Sequence, residues 1–194
     1  MNIRRLGSIS AGHLALDIMA NSVAMILTAV AGQFDLSVGQ IGFGALVIMC
    51  TGSLTQPIFG ALADRLRGRW LGPIGLLWYM LCYTLVPLAP SYPILIGTLM
   101  LAGFGSAAVH TAGMVIAPDA GGDNPTTATS IFFLFGQTGL ALGPIISGFV
   151  IQYFGLIGLP FVALALTPIV IAMFSYLRDP VAYQETAQTV SSQG

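Results

Sequence analysis

Two apolar stretches of the sequence carry polar side chains whose types and spacing could bind protons or a ligand. In the first stretch, His13, Asp17 and Asn21 follow one another at intervals of four residues. Because a helix brings residues four apart onto one face, these side chains share a face if the stretch is helical. Ser106 and His110 share a face of the second stretch by the same rule. A carboxylate beside an imidazole is suited to taking up and releasing a proton.

The composition indicates that these polar residues belong to a chain surrounded by lipid. Hydrophobic residues make up 56% of the 194 residues and charged residues 7%, whereas about 25% of residues are charged in ordinary soluble domains. The six basic residues are too few for the basic stripe that binds nucleic acid. We therefore predict contact with a lipid bilayer, no binding of nucleic acid, and neither a metal nor another cofactor.

Six apolar windows between polar breaks predict the elements that hold these side chains. A helix needs about 20 apolar residues to cross a bilayer, and every window reaches that length. We predict spanning helices, here called spans 1 to 6, at residues 11–32, 39–63, 70–89, 93–117, 127–153 and 156–177. Residues 1–177 would form one six-helix transmembrane bundle, and the polar residues 178–194 a cytoplasmic tail.

The arginines all fall on one side of this predicted bundle. Basic residues accumulate in cytoplasmic connections, and the connections after spans 1, 3 and 5 contain none. The arginines lie before span 1, between spans 2 and 3, and after span 6: Arg4, Arg5, Arg65, Arg67, Arg69 and Arg178. We therefore predict a multi-pass protein of the cell inner (plasma) membrane with its N- and C-termini in the cytoplasm.

A weak internal repeat divides the six spans into two units of three. At an offset of 87 residues, Gly52 matches Gly139 and Pro57 matches Pro144. An odd number of helices in each unit turns the second unit upside down relative to the first. The predicted fold class is therefore an all-α membrane protein of six transmembrane helices, arranged as two inverted three-helix repeats.

Spans 1 and 4 carry the side chains that are most costly to place in lipid. A carboxylate at the bilayer centre costs about 2.5–3.5 kcal/mol on insertion scales, so such groups usually face a bundle interior or a water-filled path. We expect Asp17 and His110 to approach each other or to line one cavity, with His13 nearer its mouth. The cluster would bind protons or substrate. Alternatively, it is a satisfied polar pair that orients helix packing, and Asn21 is a hydrogen-bonding residue between helices.

Spans 2 and 5 are rich in small residues, which let helix backbones approach closely. In span 5, Gly139, Gly143 and Gly148 surround Pro144. We expect these four positions to form a helix-packing interface.

Two segments resemble signature motifs of the major facilitator superfamily of transporters. The segment Gly60-Ala-Leu-Ala-Asp64-Arg65-Leu-Arg-Gly68-Arg69 resembles that family's loop of a glycine, three residues, Asp-Arg and Gly-Arg, with one extra residue before Gly68. Residues 139–148 are similar to the glycine-proline motif of proton-coupled antiporters in that superfamily, although they end in Ser-Gly instead of Gly-Gly.

Further motifs resemble, more narrowly, the fosmidomycin resistance family of exporters. They are His13-Leu-x-x-Asp17, Gln40-Ile-Gly42, Gln56-Pro57-x-x-Gly60 and Gly103-x-Gly105-Ser106-x-x-Val-His110. After His110 the chain has Thr-Ala where that family usually has Pro-Glu, so an acidic group that could take part in coupling is absent.

The resemblance implies a proton-coupled exporter of a small molecule. Spans 1 and 4 would line its substrate cavity, and spans 2 and 5 would meet an opposite half. In the gating loop between spans 2 and 3, Asp64 would contact that half. Arg65 or a neighbour would bond an acidic residue at the end of span 4, for which Asp119 is the candidate.

Six spans correspond to one half of a major facilitator transporter. The chain could therefore act as a homodimer or with a separate C-terminal half, or it could be an inactive truncated fragment. A passive channel is a further alternative. We do not expect an enzyme, because Ser106 and His110 lie on one helix, and the Gly-x-Ser-Gly surround of six-helix intramembrane serine proteases is missing.

Overall fold

Six helical spans make up the part of the chain that is described, residues 1–66 and 68–178 of a computed structural model. All six are long and apolar enough to cross a membrane, as predicted. Their helices are α1 (Ile3–Ala20) and α2 (Val23–Val30) in span 1, α3 (Val38–Leu54) and α4 (Gln56–Leu66) in span 2, α5 (Leu71–Leu85) in span 3, α6 (Tyr92–Gly121) in span 4, α7 (Pro125–Phe154) in span 5 and α8 (Leu159–Tyr176) in span 6. Short 3-10 helices at Val86–Leu88 and Leu156–Gly158 extend spans 3 and 6. Apart from Arg178, the predicted tail lies outside the described residues, as does Arg67.

Span 1 begins at Ile3, earlier than the predicted residue 11. The side chain of Asn2 caps the helix by accepting a hydrogen bond from the backbone N–H of Arg5 at 3.2 Å. One turn later, the Ser8 hydroxyl donates to the backbone oxygen of Arg5 at 2.9 Å. Polar side chains that are satisfied in this way extend a helix beyond its apolar window, so a search for apolar residues places the boundary too late.

Spans 2 and 4 also end later than predicted. Span 4 continues to Gly121 and includes Pro118 and Asp119, which the sequence placed in a polar connection. A proline removes one backbone donor, yet the helix continues past it. In the same way, Asp64 and Arg65 belong to the last turn of span 2 rather than to the following loop.

Two of the spans are interrupted near their middle. Span 1 breaks at Asn21 and Ser22, and span 2 breaks at Thr55. At both breaks a hydroxyl bonds the backbone oxygen four residues earlier, from Ser22 to Ile18 at 2.8 Å and from Thr55 to Thr51 at 2.7 Å. Such bonds compete with the helix ladder and often bend helices.

Helix packing follows the predicted inverted repeat. Span 1 packs on spans 5 and 6, and span 4 correspondingly packs on spans 2 and 3. The repeat-related glycines occupy equivalent places. A Cβ atom built on Gly52 would lie 3.7 Å from Oγ of Ser106 in span 4, and one built on Gly139 would lie 2.9 Å from Cβ of Asp17 in span 1. The two three-helix units are therefore related as the sequence predicted.

Burial is uneven among the spans. In the most apolar windows of spans 1 and 3, 56% of residues are buried within the bundle, compared with 22% in span 5 and none in span 2. Large apolar side chains such as Phe43 of span 2 and Phe149 of span 5 are exposed. Lipid can cover such a surface, and so can another helical bundle.

Candidate functional site

Asp17 lies between two histidines that come from different spans. Its Oδ2 atom is 3.3 Å from Nε2 of His13, and its Oδ1 atom is 3.8 Å from Nε2 of His110. The two imidazole rings meet edge to face, with their centroids 4.8 Å apart. Asp17 of span 1 and His110 of span 4 thus approach each other, as expected. His13 belongs to the same cluster.

Each histidine is held through its other ring nitrogen by a backbone carbonyl. Nδ1 of His13 is 2.9 Å from the carbonyl oxygen of Phe132, and Nδ1 of His110 is 2.8 Å from that of Ser106. A carbonyl oxygen only accepts hydrogen bonds, so each Nδ1 must carry the hydrogen that it donates. In a neutral imidazole the Nε2 atom is then an acceptor, and here both Nε2 atoms face Asp17.

The facing atoms of Asp17 and the two histidines are acceptors unless one of these side chains is protonated. An ionised carboxylate only accepts hydrogen bonds, so with both histidines neutral and Asp17 ionised, lone pairs would oppose each other across the 3.3 Å contact with His13. A proton on Nε2 or on the carboxyl group converts that contact into a hydrogen bond, which is charge-assisted when the histidine carries the proton. The geometry of the three side chains therefore accommodates a proton between Asp17 and a histidine.

The two histidines differ in their access to water. His13 is 3% exposed, and its ring stacks on that of Phe132 with centroids 4.1 Å apart. The expectation that His13 lies nearer the cavity mouth is therefore wrong, because span 5 covers that side of span 1. His110 instead lines a cavity of about 430 Å³ together with Asn21 and Ser106.

Asn21 and Ser106 bond locally. The side-chain amide of Asn21 donates to the backbone oxygen of Asp17 at 3.0 Å, within its own span rather than between helices. Oγ of Ser106 lies 3.3 Å from Nδ1 of His110. Both side chains therefore border the cluster without touching the Asp17 carboxylate.

Gly136 of span 5 makes room for the buried imidazole. A Cβ atom built on Gly136 would fall on the His13 ring, against its Cε1, Nε2 and Nδ1 atoms. From the sequence, Gly136 is one of the small packing residues of span 5, and neither Gly136 nor the Phe132 carbonyl was expected to contact His13. The only available signal was the spacing of small residues in span 5.

Replacing Gly136 with alanine is expected to displace His13 from the cluster. The chain has two histidines, so ¹⁵N-histidine labelling and solid-state NMR in bilayers report on this cluster alone. In the original chain we expect Nδ1–H signals for both rings. In Gly136→Ala the ¹⁵N signals of His13 should shift. The Nδ1–H signal of His110 should persist, because its bond to the Ser106 carbonyl is unaffected. Gly97→Ala is the matched control, because its Cβ would meet nothing within 4 Å; unchanged His13 signals in Gly136→Ala would contradict the prediction.

One face of the glycine-proline segment of span 5 packs against span 1, whereas Pro144 is exposed. Cβ atoms on Gly139 and Gly143 would lie 2.6 Å and 2.7 Å from backbone oxygens of span 1. A Cβ on Gly148 would meet only the flexible end of Met25, at 3.2 Å, and Pro144 lies within the helix. The glycine face of this segment thus contacts span 1, as expected for a helix-packing interface.

Asp119 at the end of span 4 forms an ion pair with Arg5 of span 1. Its Oδ2 atom is 3.1 Å from Nη1 of Arg5. The resemblance implied a bond from Arg65 or a neighbour, and of these arginines Arg67 lies outside the described residues. Because span 1 begins earlier than predicted, Arg5 reaches Asp119, and the backbone N–H of Asn2 donates to the oxygen of Ala120 at 2.7 Å.

The remaining residues of the predicted gating loop surround the end of span 2. Asp64 and Arg65 are exposed, and Gly60 is half-buried. Gly68 has a φ of 71°, a left-handed conformation that favours glycine, and its N–H donates to the oxygen of Ala63 at 2.8 Å. The Arg69 guanidinium lies 5.7 Å from the centroid of the neighbouring Trp70 ring.

Comparisons with known proteins agree with this architecture. Residues 8–192 match the sequence profile of the Major Facilitator Superfamily. The fosmidomycin resistance protein of Escherichia coli (strain K12) is 32% identical over 150 residues, which are 77% of this chain and 37% of that protein. An MFS-type transporter of Bacillus subtilis (strain 168) is 26% identical over 75% of this chain and 36% of its own length. A probable efflux pump of Aspergillus flavus is 25% identical over 68% of this chain and 31% of its own length.

The chain thus spans about a third of the length of these relatives. The profile match covers nearly all of the chain, and six spans in two inverted units are the arrangement of one half of that fold. The chain therefore belongs to the major facilitator superfamily of membrane transporters.

Proposed function

We propose that this chain forms one six-helix half of a proton-coupled exporter of a small molecule. The observation that carries the proposal is the direction of the four imidazole nitrogens. Two donate to backbone carbonyls, which leaves the other two facing a single carboxylate across spans 1 and 4. Positive charge in its predicted loops supports an orientation with both termini in the cytoplasm.

Protonation of this cluster would change the attraction between two helices. Asp17 belongs to span 1 and His110 to span 4, and their 3.8 Å contact shortens when one of them carries the proton that the other accepts. His110 faces the cavity and takes up a proton from water there. Asp17 can pass that proton to the buried His13, which lies on its other side. Proton binding is in this way linked to the distance between the spans that line the cavity.

An opposite half would complete the transport path. The outward surfaces of spans 2 and 5 are the least buried apolar surfaces among spans 1 to 5. A second copy of the chain or a separate C-terminal half would cover them and close the cavity on that side. Alternating access then follows from rocking of one half against the other, with the protonated and unprotonated clusters favouring different positions.

Proteoliposomes that contain the full chain are expected to accumulate fosmidomycin against its concentration gradient when a proton gradient is imposed. We choose this probe because the similar protein of Escherichia coli carries its name. Accumulation should stop when a protonophore dissipates the gradient, since the proton supplies the driving force. Liposome contents are measured by mass spectrometry after filtration.

Two outcomes of that assay would contradict proton-coupled export by this chain on its own. Equilibration of fosmidomycin without accumulation would indicate a passive pore rather than a coupled carrier. The assay is run with the chain alone and with a cross-linked dimer of the chain. If neither preparation moves more fosmidomycin than protein-free liposomes do, the chain does not export this probe without a further half.

A further inference from the structure

The three ionisable side chains where spans 1 and 4 meet are all of types that bind transition metals. His13, Asp17 and His110 each offer one ligand atom, and these atoms lie within 4.8 Å of one another. Imidazole nitrogens and carboxylate oxygens are common zinc ligands, and zinc sites with an open position use three protein ligands and a water molecule. The number and the types of these side chains therefore fit a zinc site with one open position.

The backbone holds both histidines in the orientation that a metal requires. A ligating histidine binds through one ring nitrogen and usually donates the N–H of the other to a carbonyl or carboxylate group, which fixes its tautomer. Nδ1 of His13 lies 2.9 Å from the Phe132 oxygen, and Nδ1 of His110 lies 2.8 Å from the Ser106 oxygen. Each Nε2 lone pair is left for a metal. Because these bonds do not involve Asp17, they are a second, independent indication of a metal site.

The separations of the ligand atoms are close to those of a tetrahedral site. With metal–ligand bonds of about 2.0–2.1 Å, two ligands of a tetrahedral metal lie about 3.3–3.4 Å apart. Nε2 of His13 and Oδ2 of Asp17 are 3.3 Å apart. Nε2 of His110 is 3.8 Å from Oδ1 of Asp17, so His110 must move inward to complete the site. The side chain of His110 is 28% exposed and has room for this adjustment.

The open coordination position faces the cavity of about 430 Å³ that His110 lines together with Asn21 and Ser106. This cavity has room for a water molecule as the fourth ligand, and it gives a metal a path to the site. Among the described residues, the ion-pair partners of Asp17 are the two histidines. When both histidines are neutral, neither of them compensates the charge of the Asp17 carboxylate. A divalent cation between the three side chains provides that compensation.

We propose that His13, Asp17 and His110 bind a zinc ion in place of the proton. Zinc and the proton use the same Nε2 atoms and the same carboxylate, so bound zinc excludes the proton. It also joins span 1 to span 4, because its ligands come from both. No metal was expected from the sequence, and the proposed zinc is an inhibitor rather than a cofactor needed for transport. Zinc binding goes beyond the proposed export function and can be tested without transport.

The ¹⁵N spectrum of the two histidines tests coordination directly. The full chain, without an affinity tag, is placed in lipid bilayers, and Zn²⁺ is added. Because the chain has two histidines, every ¹⁵N-histidine signal comes from this cluster. Zn²⁺ is expected to shift both Nε2 signals into the range of metal-bound nitrogen, while both Nδ1–H signals persist. The proposal is overturned if saturating Zn²⁺ changes neither Nε2 signal or only one of them.

Zinc affinity is measured in nanodiscs by competition with a fluorescent zinc indicator, with empty nanodiscs as the blank. Asp17→Asn is expected to weaken binding by more than about 100-fold, because changes to groups that only orient the ligands already cost about 10–100-fold. Asp123→Asn is the matched control, since it removes an exposed carboxylate outside the cluster. It should bind zinc as tightly as the original chain.

Equal zinc affinities of Asp17→Asn and Asp123→Asn would contradict the proposed site. The Nδ1–H signals of Asp17→Asn show whether both histidines remain bonded to their carbonyls, so loss of the ligand is distinguished from loss of the fold. Neither measurement uses a proton gradient. Failure of zinc binding and failure of export are therefore distinguishable.

Discussion

Asp17→Asn proteoliposomes are expected to lose uphill accumulation of fosmidomycin while still exchanging it downhill. Asparagine has nearly the same shape as aspartate but cannot release a proton. Its amide can donate permanently to one of the two Nε2 acceptors that face position 17, which imitates the protonated cluster. Accumulation should fall to that of protein-free liposomes, whereas counterflow of labelled probe at equal pH on both sides should persist. Both are measured in the same preparation.

Asp123→Asn serves as the matched control for this variant. Asp123 is exposed in the connection between spans 4 and 5 and lies outside the cluster. The Asp123→Asn variant should retain uphill accumulation of fosmidomycin. In Asp17→Asn the Nδ1 signals of both histidines should also persist, because they report bonds to the carbonyls of Phe132 and Ser106. Full uphill activity in Asp17→Asn would refute the role of Asp17 as the proton carrier.

The sequence predicts the spans well because the cost of placing polar backbone and side chains in lipid dominates the fold. Every spanning helix must satisfy its own backbone, so long apolar windows are reliable signals. The boundaries are less predictable. At the start of span 1, Asn2 and Ser8 satisfy the helix through local hydrogen bonds, and a hydropathy pattern does not register them.

The candidate site is predictable only as far as helical spacing reaches. A spacing of four residues indicates that His13 and Asp17 share a face, and the cost of burying a carboxylate indicates a partner such as His110. The backbone oxygen of Phe132 that holds His13 is 119 residues away in the chain. No periodicity in span 1 or span 4 points to it.

Helical spacing also does not predict two further features, the unpaired hydroxyl of Tyr79 and the ion pair of Arg5 with Asp119. From the sequence, Tyr79 is one more aromatic residue in an apolar span. Only the tertiary structure distinguishes it from Tyr83, whose hydroxyl bonds Ser22, whereas that of Tyr79 has no partner among the described residues. The pair of Arg5 with Asp119 depends on where span 1 begins relative to the end of span 4. Local propensity determines neither.

Gly139→Ala is expected to destabilise the bundle, in contrast to Gly148→Ala in the same glycine-proline segment. The new Cβ would lie 2.6 Å from the backbone oxygen of Leu14 and 2.9 Å from Cβ of Asp17. Neither atom is the end of a flexible side chain, so the backbones of spans 1 and 5 must separate. Overpacking of this kind costs about 1–3 kcal/mol, and the better helix propensity of alanine offsets only about 1 kcal/mol of it.

Gly148→Ala on the same helix makes the comparison specific. Its Cβ would approach only the terminal methyl group of Met25, at 3.2 Å, which can move aside. The helix propensity of alanine should therefore leave the thermal unfolding midpoint unchanged or raise it, whereas Gly139→Ala lowers it. Both midpoints are measured by fluorescence-detected size exclusion after heating in detergent. Equal midpoints would show that spans 1 and 5 are not in backbone contact at Gly139. In that case Asp17 would not be held against His13 and His110 by this packing, and the proton site would need another support.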